Sequence, residues 1–158
     1  GITSIGSDNL FMAYTHVAHD CVVGDGNVFA NNAGIAGHVI VGNNITIGAL
    51  TTIHQFCSIG DYSFIGMNTS INMDIPAYVK VAADPARVIG LNSVGMSRNN
   101  ITADSISLIK KAYKLVYRKG LKIDEAINKS KKLNEGVDDP FLNIFIQSLE
   151  VSERGILR

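Results

Sequence analysis

Two histidines and an aspartate stand within seven residues, 14 to 20, which read Tyr-Thr-His-Val-Ala-His-Asp. Side chains of these types can bind zinc, can form a general base with its orienting partner, or can lie on the surface without a role. His16 and His19 on an extended segment do not converge as i and i+4 do on a helix, and no cysteine or glutamate is well placed as a further ligand. We therefore expect no metal and no cofactor. The adjacency of His19 and Asp20 favours the general base.

The fold is indicated by a large apolar residue that recurs every six positions. A helix has a period of about 3.6 and a simple strand a period of about 2, so neither explains this repeat. A hexapeptide parallel β-helix does, because three hexads, each a short strand and a turn, form one triangular coil. We expect the small residue that often follows the apolar one to allow the corner. A β-sandwich, with turn signals every ~8–12 residues, fits less well. The apolar positions are Ile5, Phe11, Val17, Val23, Phe29, Ile35, Val41, Ile47, Ile53, Ile59, Ile65 and Ile71.

The repeat also predicts which residues are neighbours. Residues one coil apart, that is three hexads, stack at a strand spacing of about 4.8 Å. His19 is therefore expected beside Gly37, with Gln55 one coil further, and Asp20 beside His38. All four histidines of the chain fall within about three coils, and none occupies the apolar position.

These neighbours favour acyl transfer to a hydroxyl group. Asp20 can orient His19 or raise its basicity, which makes His19 the candidate base. Gly37 has no side chain, so its backbone N–H can approach a substrate carbonyl and stabilise a developing oxyanion. No serine or cysteine nucleophile motif lies nearby, so direct attack by the acceptor is favoured over an acyl-enzyme.

Three regions follow along the chain. We expect a hexapeptide-repeat β-helix over residues 1–75, an irregular connector over 76–100 and a small helical domain over 101–158. Pro76 and Pro85 punctuate the connector. In the helical domain, Thr102 and Asp139 are expected to cap the first and third helices, with Pro140 at the first helical position of the third.

The composition excludes several classes of protein. The 14 basic and 14 acidic residues give a net charge of zero, which argues against nucleic acid as the main partner. No apolar run is long enough to span a membrane. Cys21 and Cys57 are two coils apart, too far for a disulfide, and a reducing, cytoplasmic setting is expected. No signal peptide is visible, although the chain begins without Met and inside the repeat, which suggests a fragment.

Several segments together resemble the UDP-N-acetylglucosamine O-acyltransferase family, whose members catalyse the first step of lipid A biosynthesis. The similarity covers essentially the whole chain and both domains. The segments that carry it are His16-Val-Ala-His19-Asp20-Cys21, Ala30-Asn31-Asn32-Ala33 with Ala36-Gly37-His38-Val39, His54-Gln55-Phe56-Cys57, Ile109-Lys-Lys-Ala-Tyr113-Lys-Leu-Val-Tyr117-Arg118 and Arg154-Gly155-Ile-Leu-Arg158.

The resemblance implies a left-handed parallel β-helix and a homotrimer with active sites in the clefts between subunits. It implies transfer of a 3-hydroxyacyl chain from acyl carrier protein to the 3-hydroxyl of UDP-N-acetylglucosamine. His19 matches the family's general base, Asp20 its partner and Gly37 the oxyanion-binding N–H. The positions that match substrate-binding residues are His16, His38, His54, Gln55, Asn92 and Arg98.

The chain departs from the family pattern at named positions. Val94 stands where an acidic residue is expected, and Asn99 where a second arginine is expected, so the nucleotide site departs from the family pattern at two positions. Met67 stands where long-chain members carry glycine, at a position that resembles the acyl-length ruler. An occupied volume cannot also hold methylenes, so we expect a chain nearer ten carbons than fourteen. The resemblance also implies further coils before residue 1.

Two other functions stay open. The chain fits a non-catalytic β-helix trimer fragment, or another hexapeptide acyltransferase that uses acetyl-CoA or an amino-sugar acceptor. A basic helix face is either a dock for the acidic acyl carrier protein or a solvated surface. That face comprises Lys110, Lys111, Lys114, Arg118 and Lys119.

Overall fold

A computed structural model describes all 158 residues, and its first half is a solenoid of twelve two-residue strands. One strand falls in every hexad, as the repeat predicts. The strands β1 to β12 are Ser4–Ile5, Leu10–Phe11, His16–Val17, Val22–Val23, Val28–Phe29, Gly34–Ile35, Ile40–Val41, Thr46–Ile47, Thr52–Ile53, Ser58–Ile59, Phe64–Ile65 and Ser70–Ile71.

The strands form three parallel sheets, which are the three faces of a triangular prism. The first sheet contains β1, β4, β7 and β10, the second β2, β5, β8 and β11, and the third β3, β6, β9 and β12. Each residue pairs with the residue 18 positions later, as in His16 with Gly34 and Gly34 with Thr52. The predicted coil length is therefore confirmed.

The prism interior is filled by the second residue of each strand. Phe29, Ile47 and Ile65 are fully buried, and Ile35 and Ile53 nearly so. Because one inward residue recurs in every hexad, burial of apolar surface fixes the period of the fold.

The corners are made differently from our expectation. The backbone turns at a residue of positive φ three places after the apolar one, and of eleven such residues from Asp8 to Asn68 one, Gly26, is a glycine. The residue that follows each apolar one is small for a reason unrelated to the turn. A Cβ on Gly48 would come within 2.5 Å of Met67 N, and one on Gly60 within 2.3 Å of Ala77 N. Close approach of the next coil therefore requires small residues there.

Residues 76–100 are more regular than the expected connector. Strand β13, Val79–Ala82, continues the second sheet parallel to β11, and β14, Arg87–Leu91, pairs antiparallel with β13. A short helix α1 follows at Ser93–Arg98. Phe64 pairs with Lys80 at a spacing of 16 residues, so this strand falls outside the six-residue repeat.

Three helices complete the chain: α2 at Ala103–Tyr117, α3 at Ile123–Asn134 and α4 at Pro140–Glu150. The predicted caps are present, because Thr102 accepts from Ser105 N and Asp139 accepts from Phe141 N and Leu142 N. None of these helices has the length and apolar character that a membrane crossing requires.

Asp74 fastens the C-terminal tail to the solenoid. Its carboxylate is 2% exposed and accepts four hydrogen bonds. Oδ1 accepts from Ser58 N at 2.8 Å, and Oδ2 accepts from Ser152 Oγ, Glu153 N and Arg154 N at 2.8–3.1 Å. A buried carboxylate with this many donors holds the last residues against the final coil.

Candidate active site

One corner of the prism, between the third and first sheets, collects most of the chemically active side chains. His19 and Asp20 follow β3, Gly37 and His38 follow β6, and Gln55 follows β9. The strands that precede them are paired in register with an 18-residue spacing. The corner therefore stacks these residues as the repeat predicts.

His19 and Asp20 form a direct hydrogen bond. His19 Nδ1 lies 2.8 Å from Asp20 Oδ2, and the His19 side chain is 74% exposed against 25% for Asp20. A carboxylate only accepts, so Nδ1 donates, and in the neutral imidazole the lone pair is on Nε2. The hydrogen bond from His19 holds the pKa of Asp20 below its usual value, against the opposing effect of partial burial. This is the arrangement of an oriented base.

Gly37 lies directly beneath the His19 ring. A Cβ at position 37 would come within 2.7 Å of His19 Cε1 and 2.8 Å of Nε2. Gly37 is buried, and its N–H donates to no acceptor in the chain. A free N–H beside the basic nitrogen matches the requirement for an oxyanion donor.

His38 extends the corner on the other side of Asp20. Its Nε2 lies 3.8 Å from Asp20 Oδ2, and its ring meets that of His19 edge-on with centroids 5.2 Å apart. On its far side it stacks on Phe56 at 4.8 Å. Asp20 thus faces two histidines, and Phe56 limits the positions open to the His38 ring.

The remaining predicted residues of this region are exposed and make local contacts. His54 Nδ1 lies 3.1 Å from the carbonyl oxygen of Gln55. His16 lies beside Gly34 on the outer face of the third sheet, where Gly34 leaves space next to its ring. All three side chains are exposed, those of His54 and Gln55 at this corner and that of His16 on the adjoining sheet face.

The same corner holds a possible set of metal ligands. One ligand atom each of His19, Asp20 and His38 lies within 4.8 Å of the others. Two imidazoles and a carboxylate can bind a divalent cation. Asp20 Oδ2 already accepts the hydrogen bond of His19, so coordination there would replace the contact that orients the base.

Asn92 and Arg98 lie together but at a different corner. They line a cleft of about 470 Å³ beside the corner between the first and second sheets, and Val94 and Asn99 line it too. The Asn92 amide is largely occupied, because Oδ1 accepts from Gly95 N at 3.1 Å and Nδ2 donates to Tyr62 O at 2.9 Å. Within one chain this cleft is separate from His19.

Met67 stands at the third corner, between the second and third sheets. Its side chain is 68% exposed. Within one chain it therefore lies apart from both the His19 corner and the Asn92 cleft.

Two features were missed from the sequence. Lys80 lines the same cleft as Asn92 and Arg98, and its signal in the sequence is a polar residue between two valines on a strand outside the six-residue repeat. A groove of about 630 Å³ begins at His38 and Phe56 and runs between the first sheet and α4. Nothing in the sequence indicates this groove, since it depends on how α4 packs.

Comparison with known proteins is consistent with this geometry. Residues 74–157 match the family model described as Udp N-acetylglucosamine O-acyltransferase, domain 2, and residues 2–37 match the bacterial transferase hexapeptide model of six repeats. The chain is 43% identical over 159 residues to the acyl-(acyl-carrier-protein)–UDP-N-acetylglucosamine O-acyltransferase of Xylella fastidiosa, which covers 100% of this chain and 60% of that protein. The corresponding protein of Ectopseudomonas mendocina is 42% identical, with 99% and 60% covered.

Solved structures give the same picture. UDP-N-acetylglucosamine O-acyltransferase from Moraxella catarrhalis superposes with a TM-score of 0.95 at 47% identity, covering 100% of this chain and 61% of that one. UDP-N-acetylglucosamine acyltransferase from Arabidopsis gives 0.90 at 35% identity, covering 98% and 56%. The chain thus spans about 60% of the length of the curated relatives it matches.

Proposed function

Because this chain belongs to the UDP-N-acetylglucosamine O-acyltransferase family, we propose that it transfers a 3-hydroxyacyl chain from acyl carrier protein to the 3-hydroxyl of UDP-N-acetylglucosamine. This would be the first step of lipid A biosynthesis, carried out in the cytoplasm by a homotrimer. The hexapeptide solenoid and the helical domain after it agree with such an enzyme.

The observation that carries the proposal is the contact of His19 with Asp20 and with Gly37. The 2.8 Å hydrogen bond to Asp20 fixes the imidazole, and the ring lies against a glycine whose N–H has no acceptor in the chain. A base and an anion-stabilising donor thus sit side by side on a rigid scaffold.

In the proposed mechanism His19 Nε2 accepts the proton of the sugar hydroxyl while the hydroxyl oxygen bonds to the thioester carbonyl carbon. The electron pair moves to the carbonyl oxygen, where the Gly37 N–H stabilises the negative charge. The intermediate collapses, the carbon–sulfur bond breaks, and His19 returns its proton to the departing thiolate. Asp20 stabilises the imidazolium between the two steps.

The acceptor is proposed to span two groups of residues. His16, His38, His54 and Gln55 would contact the sugar, and Asn92 and Arg98 the nucleotide. These groups lie at different corners of one prism. A cleft between two copies of the chain can bring them together, so the homotrimer is part of the proposal.

Acyl carrier protein is the proposed donor, and α2 carries a surface that suits it. Lys110, Lys111 and Lys114 are exposed there, and Arg118 and Lys119 follow the helix, also exposed. None of these five cations forms an ion pair within the chain, and such a cluster attracts an acidic partner and accelerates its encounter.

A non-catalytic scaffold is the second candidate, and one observation favours it. The chain spans about 60% of the length of its curated relatives, and the residues proposed to bind the sugar and the nucleotide lie at different corners of one prism. Another hexapeptide acyltransferase activity with a different acceptor is the third.

Transfer of label from 3-hydroxydecanoyl- and 3-hydroxytetradecanoyl-carrier protein to UDP-N-acetylglucosamine tests the proposal. Wild type and His19→Ala are compared after analytical ultracentrifugation has given the oligomeric state of each. Transfer that is abolished in His19→Ala supports the enzyme. A folded trimer that transfers neither acyl chain would support the non-catalytic scaffold. Transfer to another amino sugar instead would support the third candidate.

A further inference from the structure

The cleft that holds Arg98 contains a second cation. Of its ten lining residues two are basic, Lys80 and Arg98, and none is acidic. The ion pairs of the chain involve other residues, so both cations lack a carboxylate partner. A cleft of about 470 Å³ with two unpaired cations attracts an anion.

The position of Lys80 follows from the pattern of its strand. Val79 and Val81 are fully buried on the inner face of β13, so Lys80 between them faces outward. It is in register with Phe64, and its Nζ lies 5.9 Å from the centroid of the Phe64 ring. This contact holds the aliphatic stem against the sheet and leaves the ammonium at the cleft.

The neighbour of Lys80 on the other side leaves room for a ligand. Lys80 pairs with Gly90 of β14, and nothing lies within 4 Å of the point where a Cβ of Gly90 would be. A side chain at position 90 would compete for the space above the strand. The ammonium can therefore move toward a bound group.

We propose that Lys80 acts with Arg98 in binding the diphosphate of a nucleotide diphosphate sugar. The inference rests on the proposed acceptor and names a residue of its site. An arginine offers a planar fork to one phosphate, and a lysine offers a mobile point charge to the next. The other polar groups of the cleft are neutral, which suits the uncharged sugar or base. They are Asn44, Thr46, Asn92 and Asn99.

Val94 strengthens the inference. A valine at the rim, 61% exposed, adds no negative charge to a cleft that already lacks carboxylates. The Coulomb attraction of Lys80 and Arg98 for phosphate is therefore unopposed within the cleft.

Titration calorimetry with UDP and with UMP on the whole chain tests this role. Lys80→Met keeps the length and the contact with Phe64 but removes the charge, and Lys80→Arg restores a charge. Lys132→Met, at an exposed and unpaired position of α3, is the matched control. We expect Lys80→Met to weaken UDP binding about tenfold, because a hydrogen bond between charged groups is lost. UMP binding should fall much less, and the salt dependence of UDP binding should decrease.

The outcomes separate the two proposals. A selective loss of UDP affinity in Lys80→Met, recovered in Lys80→Arg and absent in Lys132→Met, supports the phosphate contact. UDP binding that Lys80→Met leaves unchanged overturns the role of Lys80 alone. A wild-type chain that binds neither UDP nor UMP overturns the nucleotide acceptor and the role of Lys80 with it. An equal loss of UDP and UMP affinity, with a lower melting temperature, would assign Lys80 to the packing of the strand instead.

Discussion

The imidazole of His19 rests on Gly37, so close that a methyl group at position 37 would come within 2.7 Å of His19 Cε1. The two residues are one coil apart, and the hydrogen bond from His38 N to His19 O, 3.1 Å long, joins their turns. Glycine is therefore required at position 37 for a steric reason that is independent of backbone conformation.

Gly37→Ala should displace His19 and lower kcat on the order of a hundredfold, as expected when a catalytic group moves by about 1 Å. Stability should change little, because His19 is largely exposed and can move aside. Gly34→Ala is the control, since its Cβ would lie 3.9 Å from His16 Cβ in ordinary contact. Steady-state transfer assays and melting curves of both variants provide the test. Equal activity of the two would contradict the close packing of His19.

Asp20→Asn should lower kcat on the order of a hundredfold and leave the KM for UDP-N-acetylglucosamine nearly unchanged, because an amide orients His19 without stabilising its positive charge. The matched control is Asp8→Asn. Both aspartates sit at turn positions of positive φ, 58° and 57°, which asparagine tolerates. Full activity in Asp20→Asn would remove the carboxylate from the mechanism.

Met67→Gly should shift the preference from the ten-carbon toward the fourteen-carbon donor, because it frees volume at the third corner of the prism. Competition between the two acyl carrier proteins, read by mass spectrometry of the product, measures the ratio. Met12→Gly, at a less exposed methionine before the first turn of that corner, controls for general loosening. An unchanged ratio in Met67→Gly would make the groove between the first sheet and α4 the better candidate for the acyl chain.

Asp74→Asn should lower the free energy of unfolding by about 3 kcal/mol, because an amide nitrogen cannot accept the three donors that converge on Oδ2. Asp138→Asn, at an exposed turn of positive φ, should change it by less than about 0.5 kcal/mol. Urea denaturation gives both values. Hydrogen exchange at residues 152–157 should accelerate in Asp74→Asn, and protection equal to wild type would show that the tail is held by other contacts.

Stability should fall as the pH rises from about 9 toward 11. Burial raises the pKa of Cys57 from an ordinary 9.0 to about 11 and also raises the pKa of Tyr62. Between these values the unfolded chain has lost a proton that the folded chain keeps, so alkaline conditions favour unfolding. Urea midpoints of wild type and Cys57→Ala between pH 7 and 11 measure the effect. The fall should be shallower in Cys57→Ala, and parallel curves would assign the loss to other groups.

Much of the solenoid could be predicted because every hexad must bury one apolar side chain. An inward apolar residue in each hexad fixes the coil, and the coil fixes which residues stack, so the contacts of His19 with Gly37 and of Asp20 with His38 follow by counting. Beyond the end of the repeat, residue spacing no longer predicts which residues are neighbours. The register between Phe64 and Lys80 drops to 16 residues, and neither β13 nor Lys80 was predicted.

Other parts of the candidate site depend on packing that no local pattern encodes. The groove beside His38 requires α4 to lie near the first sheet, and residues such as Ile144 line it from a distant part of the sequence. Asn92 was expected to contact the nucleotide, and in the structure its amide accepts from Gly95 N as the cap of α1 and donates to Tyr62 O. The roles proposed for these residues remain predictions.

The 18-residue register also limits how such a gene can change in length. An insertion of one hexad between His19 and His54 would carry every later residue to the neighbouring corner and so separate His54 and Gln55 from the corner of His19. An insertion of a whole coil outside residues 19–57 leaves the three corners aligned and changes the height of the prism alone. Solenoid lengths that keep this alignment therefore differ by multiples of eighteen residues, and from Ser4 to Ile71 the corner of a side chain is given by its residue number modulo eighteen.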